Sequence, residues 1–144
     1  MDTFIWSDKY NVGFPDIDEQ HKKFFSIINE LLEFINTRQP DYVLNNSLKA
    51  LADYSNYHFD LEEKYFNEFN YPEKEFHIRE HNEFRNEVSK FYSDRSLSPD
   101  VYITAFKLGD YAQEWLKKHI LDVDRKYVDF FKAHGVLTLL NSHQ

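Results

Sequence analysis

The 144-residue chain has a formal net charge of -8 and no cysteine, which sets aside disulfides, thiolate catalysis and Cys-ligated zinc or iron–sulfur sites and argues against nucleic acid or an anionic membrane as partner, since both reward a basic face. With 42% apolar residues, 14 Phe, 10 Tyr, 3 Gly and 4 Pro, it has the material for a single domain, 1–144, with an aromatic core and long helices rather than short strands. The N-terminal "MDTFIWSDKY" lacks the basic and apolar regions of a signal peptide, and no segment approaches the roughly 20 apolar residues of a membrane span, so a cytoplasmic protein is expected.

Residues 1–16 read as an extended arm anchored by Trp6, Tyr10, Val12 and Phe14, with Gly13-Phe14-Pro15 as a bend. Asp16 followed by Glu19 has the form of a capping box. A first helix is expected over 17–36, with the inward row His21, Phe24/Phe25, Ile28, Leu31/Leu32 and Ile35 at spacings of three and four. "TRQPD" breaks it. A second helix over 41–69 carries Leu44, Leu48, Leu51, Ser55, His58, Glu62, Tyr65/Phe66 and Phe69 on one face. Pro72 suits the first turn of a third helix, which runs to about 92 with the row His77, His81, Phe84, Val88, Phe91. After the loop "SDRSLSPD", Ser98 as N-cap and Pro99 as first residue predict a fourth helix with Val101, Ala105, Leu108, Ala112, Trp115 and His119 inward. Four amphipathic helices with short links predict an all-α, up-down-up-down four-helix bundle over 17–122. A short C-terminal helix ending at Gly135 and an apolar tail follow, within 123–144.

Each of the four helices carries one or two histidines on its apolar row: His21, His58, His77 with His81, and His119. A lone histidine on such a row is usually a hydrogen-bonded core residue, and "HIREH" alone is weak evidence for a metal. Glu62 alone could be a paired buried acid. Five imidazoles with Glu62 and the nearby Asp124, all directed into one small bundle, need a common partner, and a buried cation supplies one. The set is too large for one zinc and too nitrogen-rich for calcium or magnesium. It suits two transition-metal ions, iron or manganese by ligand type, bridged by both carboxylates and a solvent oxygen. His77 and His81, one turn apart, share an ion that His119 can join; His21 and His58 take the other. The three-histidine ion then has six donors and the two-histidine ion five, leaving one open position for a small ligand. Asp124 lies roughly 140° from His119 around an ideal helix, so a helix break is expected near residues 121–123.

The arm "W…YNVG" and the motifs "IDEQH", "HFDLEE", "HIREH" and "WLKKHILDVD" resemble, in order and over most of the chain, the hemerythrin family, specifically its bacterial group. The resemblance implies a non-haem di-iron centre with a bridging oxo or hydroxo group, held by His21, His58, Glu62, His77, His81, His119 and Asp124, with O2 as reversible ligand at the two-histidine iron. The intervals between His21 and His58 and between His81 and His119 are longer than in compact oxygen carriers, and Phe66 stands where a Met is frequent.

Carboxylate-rich di-iron oxidases use Glu-x-x-His pairs, and no Glu-x-x-His occurs here. Imidazole in place of carboxylate favours binding O2 for storage, delivery or sensing over turnover, so no enzyme is expected. A peroxidase or an O2 or NO scavenger at the same centre is the alternative. The open position needs a dry lining, for which Phe24, Phe59, Trp115, Leu116 and Ile120 are the candidates by adjacency to the ligands. Glu63 is expected to be exposed, the alternative being that it holds the N–H of a ligating imidazole; His134 and His143 are expected to be solvated. A monomer is expected.

Overall fold

Pro15 opens the first helix, because its fixed φ and missing N–H suit a first helical position. In the computed structural model, which describes residues 3–95 and 100–136, helix α1 is Pro15–Asn36, so it begins slightly before the expected start. Phe14 is its N-cap with no side-chain capping bond, so Asp16, expected at the cap, lies within the first turn. Asp18 instead accepts the Val12 amide at 2.8 Å and ties the arm to the first turn. Helices α2 (Asp41–Glu68), α3 (Lys74–Arg95), α4 (Val101–Lys118) and α5 (Arg125–Ala133) follow. The described residues contain no strand.

Two helix starts differ from expectation. Pro72 lies in the turn before α3, where Tyr71 O accepts the Lys74 amide at 3.1 Å. Helix α4 is capped by Asp100, whose carboxylate accepts the amides of Tyr102 at 2.9 Å and Ile103 at 3.3 Å; the Ser98–Pro99 start lies outside the described residues.

Helices α1, α2 and α5 end alike. Arg38, Asn70 and Gly135 adopt positive φ of 51°, 52° and 77°. The next amide then returns to a carbonyl of the last turn: Gln39 to Phe34 at 3.2 Å, Tyr71 to Phe66 at 2.8 Å, Val136 to Phe131 at 2.9 Å. This closure satisfies orphan carbonyls and turns the chain sharply. Gly135 adopts it freely. With such sharp ends the links stay short.

The expected four-helix bundle is what the structure shows. Helix α1 packs on α2 and α4, and α3 packs on α2 and α4. The rows read from the sequence face inward: Phe24, Ile28, Leu44, Leu48, Phe84, Ala105 and Leu108 are fully buried. The arm is pinned to α1 by Asn29, which donates to Phe4 O at 2.9 Å and accepts from Phe4 N at 2.7 Å, while the Phe4 ring stacks on Phe25. No helix among the described residues is long and apolar enough to cross a membrane.

Candidate metal centre

The inward rows and the turn after α4 bring all seven sequence-predicted donors together. Their ligand atoms form two overlapping groups, each with every atom within 4.8 Å of the others: Glu62, His77, His81, His119 and Asp124 in one, and His21, His58, Glu62 and Asp124 in the other. All seven residues are buried. Helix α2 presents His58 and Glu62 one turn apart, and α3 presents His77 and His81 in the same way.

His119 and Asp124 come together because the chain between α4 and α5 is a π-helical turn, His119–Asp124. Its i→i+5 winding brings nearly into one file two residues that an α-helix would place far apart, and this is the expected break. Asp124 then divides its oxygens. Oδ1 lies 3.0 Å from both His77 Nε2 and His119 Nε2, and Oδ2 lies 3.1 Å from His21 Nε2. Glu62 Oε1 lies 3.4 Å from His58 Nε2 and 3.3 Å from His81 Nε2. Each carboxylate therefore meets histidines of both groups.

The donor set fits metal ions. His77 Nε2 and His119 Nε2 stand 3.1 Å apart, and with Asp124 Oδ1 they form a near-equilateral triangle. Ligands at bonds of about 2.1 Å meeting at right angles are about 3.0 Å apart. Both Glu62 oxygens, both Asp124 oxygens and His81 Nε2 are buried without a hydrogen-bond partner among the described residues. Where Nδ1 carries the proton, Nε2 turns a lone pair toward carboxylate lone pairs, an arrangement a cation completes.

The electrostatics point the same way. Burial holds His58 down at about 4. It holds His81 at about 3 against the opposing pull of Glu63. These two rings are kept neutral, as ligation requires. Burial also acts against charge on His119, yet Asp124 and then Glu80 raise it to about 9. Burial works against the Asp124 carboxylate as well, but the facing histidines hold it well below the usual range. Positive charge is thus favoured between the groups.

Aromatic rings wall the centre. Phe59 stacks on His81 with centroids 4.0 Å apart, and Trp115 stacks on His119 at 4.3 Å. Phe24 meets His58 edge-on at 6.2 Å, and Phe66 lies 4.6 Å from His77. Of the expected lining, Phe24, Phe59, Leu116 and Ile120 are buried, and Trp115 is partly exposed. Phe59 thus borders both groups, lying 6.0 Å from His58 as well as on His81; Trp115 faces the three-histidine group and Phe24 the other.

Glu63 takes the alternative role read from the sequence rather than the exposed one: it accepts from His81 Nδ1 at 2.7 Å and from Arg85 at 2.9 Å. Other contributors have no such reading in the sequence. Gln20 Oε1 lies 2.6 Å from His58 Nδ1. Glu80 faces His119 Nδ1 at 3.6 Å. Tyr127 is fully buried beside the cluster; burial, then Glu62 and Asp124, push its hydroxyl pKa far up. Gln20, next to His21, and Glu80, next to His81, had only that adjacency as a signal. His134 is exposed, as expected, and His143 lies outside the described residues.

Fold and site together define a helical bundle with a buried histidine–carboxylate cluster able to hold metal cations. The family model described as the hemerythrin HHE cation binding domain matches residues 12–131. The chain is 30% identical to a bacteriohemerythrin of Clostridium acetobutylicum over 88% of this chain and 99% of that one. It is 28% identical to a bacteriohemerythrin of Stenotrophomonas maltophilia, over 93% and 85% respectively, and 28% identical to a hemerythrin-like protein of Naegleria gruberi, over 86% and 90%. The chain belongs to the hemerythrin family.

Proposed function

We propose that this protein binds O2 reversibly at a pair of iron ions, for storage, delivery or sensing. His77, His81 and His119 would hold one ion, His21 and His58 the other, with Glu62 and Asp124 shared. When bound, such a pair supplies electrons that O2 accepts on binding and returns on release.

The observation that carries this reading is the asymmetry of the two overlapping donor groups, three histidines against two around the same two carboxylates. A small ligand is directed to the side with fewer protein donors. The neutral imidazoles lower the negative charge at the centre relative to a carboxylate-rich site, and so favour release over turnover. The buried side chains of Phe24, Phe59, Leu116 and Ile120 exclude bulk water and its protons, which supports return of the ligand intact.

The test is optical. Iron-loaded, reduced protein is exposed to air and then to argon; a visible charge-transfer band should appear and disappear over repeated cycles. Irreversible conversion on first exposure, or steady O2 consumption with an electron donor, counts against reversible binding.

A further inference from the structure

The two histidine groups differ in what stands behind their rings. Among the three, His81 Nδ1–H donates to Glu63 Oε2 at 2.7 Å, and Glu80 Oε1 faces His119 Nδ1 at 3.6 Å. Among the two, His58 Nδ1–H donates to the neutral amide oxygen of Gln20 at 2.6 Å, and His21 Nδ1 has no hydrogen-bond partner among the described residues. His77 Nδ1, like His21 Nδ1, has no hydrogen-bond partner among the described residues. Carboxylates therefore stand behind two of the three rings in one group and behind neither ring of the other.

Glu63 is held in place. Arg85 Nη1 donates to its Oε2 at 2.9 Å, Arg85 Nη2 to Asp60 at 2.9 Å and Arg85 Nε to Asn56 at 2.9 Å. The guanidinium lies 5.1 Å from the centroid of the Phe59 ring, which itself stacks on His81. Glu63 is thus braced between α2 and α3: its Oε2 is held by both His81 and Arg85, and Arg85 is itself fixed by Asp60 and Asn56. A carboxylate at Nδ1–H fixes the tautomer, orients the ring and makes Nε2 a stronger donor; an amide does the first two with less effect on basicity.

We propose that Glu63, braced by Arg85, and Glu80 are positioning residues that make the two metal positions unequal. The three-histidine position fills first and holds its ion more tightly; the two-histidine position fills second and exchanges more readily. This rests on the two-metal reading above. The donor count, five side chains against four, acts in the same direction, so variants are needed to isolate the charge behind the rings.

The experiment titrates metal-free, full-length protein with Zn2+ and follows the imidazole nitrogens by NMR. The first equivalent should move His77, His81 and His119, the second His21 and His58. Glu63→Gln keeps the shape and an acceptor while removing the charge. It should weaken the first step about 10–100-fold with far less effect on the second, and Glu63→Asp should recover part of the loss. Gln20→Glu, placing a carboxylate behind His58, should strengthen the second step and narrow the gap. Circular dichroism of each metal-free variant verifies the fold. All five histidines responding together from the first addition, or an unchanged first step in Glu63→Gln, overturns the inference and leaves the two-metal reading standing. Failure to take up Zn2+ at all removes both.

Discussion

His119 and Asp124 are five residues apart in sequence, yet His119 Nε2 and Asp124 Oδ1 stand 3.0 Å apart. The π-helical turn between α4 and α5 makes that contact and sets Asp124 between both histidine groups. Asp124→Asn keeps the volume and removes the charge that faces three histidines. On the two-metal proposal, metal content, counted by mass spectrometry after loading and desalting, is expected to fall from two ions per chain to one or none. Two retained ions would show that Asp124 is not shared.

Phe59 is fully buried and stacked on His81. Truncation to alanine removes a large core side chain and the wall of a ligand ring. Phe59→Ala should destabilise the metal-free protein by about 3–5 kcal/mol, read from denaturant unfolding. A loss below 1 kcal/mol would mean that the neighbouring rings collapse into the space.

Acid and base should both weaken the metal-free protein, with opposite signs from different histidines. His58 and His81 titrate at about 4 and 3 when folded, against an ordinary 6.5. The unfolded chain therefore binds more protons as pH drops below 6.5, and the stability these rings contribute above 6.5 is lost on the way to 4 and 3. His119, raised to about 9, contributes stability that is present below 6.5 and lost as pH rises to 9. Stability should peak near pH 6.5, each ring contributing a slope of up to about 1.4 kcal/mol per pH unit within its own window. Urea midpoints collected from pH 4 to 9 would reveal the peak; a monotonic profile would contradict it.

Asp100 serves as a control remote from the histidines. Its carboxylate caps α4 through two amides, and Asp100→Ala should cost about 1 kcal/mol of stability. Metal content and the air-to-argon optical cycle should stay as in the parent. A loss of metal with so small a change in stability would tie the α4 start to the centre.

The helical rows were readable because spacings of three and four put side chains on one helix face, and four separate rows each placed histidine there. Boundaries were less readable. Pro72 is as compatible with a turn as with a first helical residue, and Asp100 and Ser98 are both good caps, so local chemistry could not choose between them. The positive-φ ends at Arg38 and Asn70 carry no glycine to announce them. For Glu63 the sequence leaves two readings, an acid on a mixed face or a partner to an imidazole N–H; what decides it is His81 and Arg85, both from another helix.

Local chemistry, through apolar periodicity and a few breakers, determined four helices and the seven residues that face inward. It also required a departure from α geometry between His119 and Asp124, since α winding cannot bring both to one place. That the departure is a π turn, that Asp124 divides its oxygens between the groups, and that carboxylates stand behind one group only were decided by packing. Those relations join side chains from different helices, and their distances depend on how the helices are rotated and staggered against one another, which no single segment specifies.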